Sequence, residues 1–229
     1  MALYAIGDLH LSEGVNKPMD VFGDRWADYT QKLKAGFASL NEADTCVICG
    51  DVSWGMDFDQ CTDDFRLIGT FPGRKIILKG NHDYWWTTIT KSKKFLNNID
   101  VDNIDFLHNN FFVYNDTALC GTRGWFYEEE NGGEHDKKVM LREIGRLETS
   151  LKAAGNLRKL VFLHYPPMYG RYVCDEILGL FAEYRVEKCY YGHIHGKGCA
   201  AAFEGFGLGV EYTMVSADHV NFRPVKIMD

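Results

Sequence analysis

Asp8-Leu9-His10 sets a carboxylate and an imidazole two residues apart, directly after the apolar run Leu3-Tyr4-Ala5-Ile6 and Gly7. The arrangement recurs along the chain. Gly50-Asp51 follows Cys46-Val47-Ile48-Cys49, and Gly80-Asn81-His82-Asp83 comes after Ile76-Ile77-Leu78. His164 follows Leu160-Val161-Phe162-Leu163, and Gly192-His193-Ile194-His195 follows Cys189-Tyr190-Tyr191. Carboxylate oxygen and imidazole nitrogen together suit manganese, iron or zinc better than calcium. Asp51 has two oxygens with which to bridge two ions. Asn81 offers a neutral carbonyl oxygen, useful where further negative charge would repel an anionic substrate. His193 and His195 could serve one ion or divide between neighbours. Each piece alone has an ordinary reading: a capping pair, a turn, a core histidine. Their joint occurrence, in order and each after an apolar run, points to a metal cluster.

Elements must bring these residues together. Runs of about four apolar residues read as buried strands. Open α/β sheets bind ligands beyond the carboxyl ends of their strands, so the cluster is expected along one edge of one sheet. Asp8 and His10 would share a face if extended geometry persists to the strand end. Trp26, Tyr29, Leu33, Phe37 and Leu40 predict a helix over 24–40, and Phe58, Cys61, Phe65 and Ile68 another over 57–68, with a shorter one over 88–96. Strand–helix–strand alternation implies parallel neighbours. In the middle, the Asn109-Asn110 and Asn115-Asp116 pairs between short apolar runs predict antiparallel hairpins. The acidic stretch 128–136 reads as an exposed loop, 137–154 and 174–184 as helices, and 212–215 and 225–227 as closing strands.

Composition sets outer bounds. The 229 residues fit one large domain or two small ones, and 46% hydrophobic content is enough for a substantial core. The motif residues span positions 8 to 195, so a single domain over 1–229 keeps the cluster intact. A net charge of -7 and the absence of any basic run argue against nucleic acid as partner. No basic n-region with a long apolar h-region opens the chain, and no apolar run approaches a bilayer span, so a cytoplasmic location is expected. Seven scattered cysteines fit a reduced compartment. Cys46-x-x-Cys49 resembles a zinc or redox motif, but thiols three apart on a strand point to opposite faces, so core burial is the better reading.

The ordered blocks Asp8-x-His10, Gly50-Asp51, Gly80-Asn81-His82-Asp83, His164 and Gly192-His193-x-His195 resemble the signature of the calcineurin-like metallophosphoesterase superfamily. The resemblance implies a four-layer α/β/β/α sandwich of two mixed β-sheets, with a dinuclear metal site at the strand carboxyl ends and ions about 3.5 Å apart. It assigns Asp8, His10 and His195 to the first ion, Asn81, His164 and His193 to the second, and Asp51 to both. The implied cofactors are two divalent ions, manganese, iron or zinc. His82 would face the substrate and Asp83 would hydrogen-bond its ring. A water shared by the ions would lose its proton near neutral pH and attack phosphorus in line with the leaving oxygen. His82, as imidazolium, would stabilise or protonate that oxygen.

Many family members carry an acidic, histidine or arginine residue three positions after the bridging Asp; here it is Trp54. Trp54, Trp85, Trp86 and Trp125 could form an aromatic rim that stacks on substrate, or could pack the two sheets together, the ordinary role. Arg123 and Arg171 are candidate phosphate clamps. The expected activity is metal-dependent hydrolysis of a small phosphate ester. A phosphodiester is favoured because diesterases are common in the branch with the Asp-x-His first block. A phosphomonoesterase or nucleotide pyrophosphohydrolase, and a non-catalytic scaffold on the same fold, stay open.

Overall fold

Successive side chains on a strand alternate between faces, and residues 46–49 show what that builds here. Cys46 and Ile48 join one apolar cluster, Val47 and Cys49 another on the opposite face. The structure, a computed structural model, describes residues 1–127 and 133–229. Its elements run β1 (Leu3–Ile6), α1 (Tyr29–Phe37), β2 (Thr45–Ile48), α2 (Phe58–Thr70), β3 (Arg74–Ile77), α3 (Ile89–Asn98), β4 (Ile104–Phe106), β5 (Phe111–Tyr114), β6 (Thr117–Thr122), α4 (Glu134–Ala153), β7 (Arg158–Leu163), β8 (Met168–Tyr169), β9 (Tyr172–Val173), α5 (Asp175–Glu183), β10 (Val186–Tyr191), β11 (Gly205–Gly207), β12 (Val210–Met214) and β13 (Val225–Met228).

Two mixed sheets result, in the orders β13-β1-β2-β3-β4 and β11-β12-β10-β7-β6-β5. The first is parallel except for β13, and the second is parallel except for its edge strands β5 and β11. They face each other across a shared core in which Leu3, Ala5, Val47, Cys49 and Ile76 meet Leu119, Leu160, Phe162 and Tyr190. Leu33, Phe37, Phe65, Ile68 and Phe95 of α1, α2 and α3 cover the outer face of the first sheet. Met140, Leu147, Leu151, Ile177 and Phe181 of α4 and α5 cover the outer face of the second. The outcome is the four-layer α/β/β/α sandwich. Capping fixes two helix starts: the Asp57 carboxylate accepts from Gln60 N–H, and Thr88 Oγ1 from Lys91 N–H.

Two expectations are corrected. The helix predicted over 24–40 is α-helical only over α1, because Asp28 takes a left-handed φ of 54°. The break lets Trp26 and Tyr29 turn back onto His10, the ring of Trp26 edge-on at 5.9 Å and the Tyr29 hydroxyl donating to the His10 carbonyl at 2.9 Å. The expected hairpin around Asn109-Asn110 is instead the crossing between sheets, since β4 belongs to the first and β5 to the second. Leu107 and Tyr114 are thereby buried between the sheets, and the Asn110 side chain closes the crossing by accepting from His108 N–H and donating to Phe106 O. The Asn115-Asp116 turn joins β5 to β6 as expected. Of the acidic loop expected over 128–136, residues 128–132 lie outside the described residues and Glu134 already belongs to α4. None of the described helices is long and apolar enough to cross a membrane.

Candidate metal centre

The five motifs leave β1, β2 and β3 in the first sheet and β7 and β10 in the second. The cluster therefore spans the gap between two sheets and not one edge of one sheet. The loops after β1 and β2 run side by side, with Asp8 N–H donating to Gly50 O and His10 N–H to Asp51 O, each at 2.9 Å. The loop after β10 is tied across the gap: His193 N–H donates to Asp8 Oδ1 and Oδ2 at 3.0 and 2.9 Å. Extended geometry does not persist beyond β1, because Asp8 (φ 60°), His10 (47°), Asp51 (50°) and His193 (73°) are all left-handed. That region is uncommon outside glycine, and Asp, Asn and His are the side chains that enter it most readily. The residue types that bind metals are thus also those that tolerate these turns. Two glycines permit the close approach. A Cβ at Gly80 would collide with the Asp51 carboxylate, and one at Gly192 with the carboxylate of Asp8.

All seven side chains expected to be ligands meet here. Asp8, His10 and His195 converge in one group, and Asp8, Asp51 and His164 in an adjoining one. His10 Nε2 lies 3.4 Å from His195 Nε2, and His195 Nε2 lies 3.5 Å from Asp8 Oδ1. Asp51 Oδ2 stands between His164 Nε2 at 3.5 Å and His10 Nε2 at 3.8 Å. On the far side, Asn81 Oδ1 is 2.6 Å from His164 Nε2 and 2.9 Å from His193 Nδ1, and those two nitrogens are 3.2 Å apart.

The donor set fits a cation. His164 Nδ1 lies 2.9 Å from Cys49 O, which can only accept, so Nδ1 carries the hydrogen and Nε2 points a lone pair into the site. Burial, with His164 beside it, pushes His193 down to about 3, so its imidazole is neutral. Asn81 Oδ1, His164 Nε2 and His193 Nδ1 thus crowd one point. Burial also holds His10 well below its ordinary value, with His195 adding to the effect, and its Nδ1 is buried without a hydrogen-bond partner among the described residues. Burial, followed by the neighbouring charges of Asp83 and Asp8, pushes Asp51 well above the carboxylate range. Burial opposes a rise at His195, but Asp8 and Asp218 outweigh it and push that group up to about 10. Both shifts mark a pocket short of positive charge, which a divalent ion would supply.

Sequence reasoning missed Asp218. Its Oδ1 accepts from His195 Nδ1–H at 2.7 Å and its Oδ2 from Gly196 N–H at 3.0 Å. The available signal was position: Ser216-Ala217-Asp218 leaves β12, the parallel neighbour of β10, at the same sheet end. Asp83 departs from the role implied for it. Its Oδ2 accepts from the amides of Asp51 (2.9 Å) and Gly80 (2.7 Å), its Oδ1 from that of Val52 (2.9 Å) and the Trp85 indole (3.0 Å). The left-handed Asp51 and the turn at 80–83 aim their N–H groups inward, and Asp83 satisfies them in place of the His82 ring. His82 Nδ1 instead faces the Tyr84 hydroxyl at 3.5 Å, while His82 N–H donates to Asp51 Oδ1 at 2.7 Å.

Arg123 is not an open phosphate clamp. Its guanidinium donates to the buried Glu143 carboxylate at 3.1 Å and lies over the Trp125 ring at 4.5 Å. Arg171 is exposed and lines a cavity that His193 also borders. Trp54 neither packs the sheets together nor presents a bare face to the site. It stacks on His10 at 4.9 Å and 23°, flanks His82 at 4.5 Å, and donates its indole N–H to Met19 S at 3.2 Å. Trp85 is buried under α2 and α3, on the outer side of the first sheet.

Among solved structures, the phosphopantetheinyl hydrolase PptH from Mycobacterium tuberculosis superposes with a TM-score of 0.61 at 15% identity, covering 99% of this chain and 95% of that one. A protein of unknown function from Aquifex aeolicus superposes at 0.49 with 17% identity, covering 98% and 95%. The likeness to PptH concerns the fold. No curated relative matches the sequence. The family model described as calcineurin-like phosphoesterase matches residues 1–197. A family match over most of the chain, on the sandwich and the convergent donors described above, means that the chain belongs to the calcineurin-like phosphoesterase family.

Proposed function

We propose that this metal-dependent phosphoesterase acts on small phosphodiesters and holds two divalent ions. Asp8, His10 and His195 hold one, Asn81, His164 and His193 the other, and Asp51 both. The position of Asp51 Oδ2 between His10 and His164 supports the shared role. Bound divalent ions supply positive charge to phosphoryl oxygens and bring the ionisation of water near neutral pH. The protein's own groups do the rest. His164 is held in one tautomer by Cys49 O, and His195 by Asp218, so their Nε2 atoms stay aimed inward. His82 is fixed by its own amide on Asp51 and by the flank of Trp54, which supports the proposal that it hands a proton to the leaving oxygen.

One observation favours a diester over a monoester. Arg123 is tied to Glu143, so its guanidinium is already engaged and not free for the second negative charge of a monoester. A singly charged ester suits such a site better than a dianion. The test is reconstitution of metal-free protein with manganese, iron or zinc, followed by kcat/KM on bis(p-nitrophenyl) phosphate and p-nitrophenyl phosphate. The diester should be turned over faster with the best metal; a monoester preference with every metal overturns the reading. A phosphopantetheine diester belongs in the same screen, since a protein of like fold is a phosphopantetheinyl hydrolase.

A further inference from the structure

A cavity of about 670 Å³ opens beside the donor cluster, within the usual range for small-molecule sites. His193 borders both. The other walls are mostly rings: Trp125 and Phe126 after β6, Tyr165 after β7, and Tyr169 and Tyr172 on the β8–β9 hairpin. Phe126 and Tyr169 lie almost parallel, 5.9 Å apart at 26°, and the Tyr165 ring sits 4.0 Å from that of His193. Three polar ends on these walls already have partners. Tyr172 O–H donates to Trp125 O (3.2 Å), Tyr169 O–H to Gly198 O (3.3 Å), and the Trp125 indole to Asp136 (3.1 Å). A ligand would meet mainly ring surface, with Asp136, Arg171 and the hydroxyl-bearing Tyr127 and Tyr165 also in the lining.

Resting on the phosphoesterase reading above, we propose that this cavity takes a planar aromatic ring carried by one arm of the ester, gripped by its faces and not by its edges. Three observations carry it. The cavity adjoins the donor cluster at His193, so one arm of an ester held at the cluster can reach into it. Its walls are aromatic, which rewards a flat π system beyond the area buried. Arg171 adds a planar cation that stacks on such a ring or pairs with an anionic group on the arm. With the Tyr169 and Tyr172 hydroxyls and the Trp125 indole already bonded, most of what a ring meets in the cavity is aromatic face. The site therefore separates flat arms from saturated ones while treating different flat rings alike.

The test uses metal-loaded protein and three ligands that it cannot hydrolyse: phenylphosphonate, cyclohexylphosphonate and methylphosphonate, with affinities measured by calorimetry. Phenylphosphonate should bind about tenfold more tightly than cyclohexylphosphonate, which matches it in size but lacks the ring faces. In Phe126→Leu and Tyr169→Leu, checked for folding by circular dichroism, that preference should shrink to under about threefold. Equal affinity of the phenyl and cyclohexyl ligands in the unaltered protein overturns the proposal. So does failure to bind phenylphosphonate, or a parallel loss for all three ligands in both variants. Tight ring-selective binding without turnover of any phosphodiester would leave the ring subsite standing and remove the hydrolase reading instead.

Discussion

Asp218 accepts the Nδ1–H of His195 and the amide of Gly196 with one carboxylate, and so fixes both the ring and the turn that carries it. Asp218→Asn should lower metal affinity about 10–100-fold, read by metal titration, with the fold intact. An unchanged affinity would show that His195 needs no such partner. His82→Ala should keep its metal, because the His82 ring takes no part in either converging group, yet lose about 10²–10⁴-fold in kcat on the diester. Turnover at the unaltered rate would remove His82 from the chemistry. Asp64 behaves differently. It accepts from Ser53 Oγ and Glu13 N–H, but burial pushes it up to about 6 from 3.8. A carboxyl that prefers its proton when folded adds stability that is complete below the unfolded value and lost as pH rises through the folded one. The denaturation midpoint of the unaltered protein should therefore fall relative to Asp64→Asn between about pH 4 and about pH 7. Parallel profiles would contradict this. Asp64 drew no notice in the sequence, where an aspartate on a helix reads as a solvent-facing residue; its burial comes from the loops after β1 and β2 folding over α2.

The loops after β2 and β3 behave as one unit, because Asp83 gathers the amides of Asp51, Val52 and Gly80. Gly80→Ala would drive a methyl group into Asp51 and its amide. It should abolish metal-dependent activity and lower the melting temperature, measured together; retention of both would mean that the loop yields more easily than its contacts imply. At this scale the sequence was informative wherever pattern and burial coincide. The apolar runs at β1, β2, β3, β7 and β10, the helix starts near Asp57 and Thr88, and the Asn115-Asp116 turn were all legible. The Phe106–Phe111 crossing was not, since a turn sequence between two apolar runs looks the same whether the runs pair or part. Nor was the break at Asp28, since helical spacing of apolar residues continues through it while the backbone does not.

Convergence of all seven donors was foreseeable from ordered motifs, but their division between two facing sheets was not, because periodicity says which face a residue occupies and not which sheet holds the strand. That division has an energetic outcome. Ions held by residues from both sheets bind only the assembled sandwich, so chelation should lower the melting temperature by about 5–10 °C where free metal stood roughly a hundredfold above its dissociation constant. Readdition should restore it, and no shift on chelation would mean that the sheets assemble independently of the site. The left-handed backbone at Asp8, His10, Asp51 and His193 has a further consequence, for redesign. A cysteine installed at any of the four, to favour softer ions, would inherit a conformation that its side chain enters only at a cost of about 1–2 kcal/mol. Asn81, His164 and His195 carry no such handicap, so any attempt to retune which ion the enzyme prefers has its freedom at those three places.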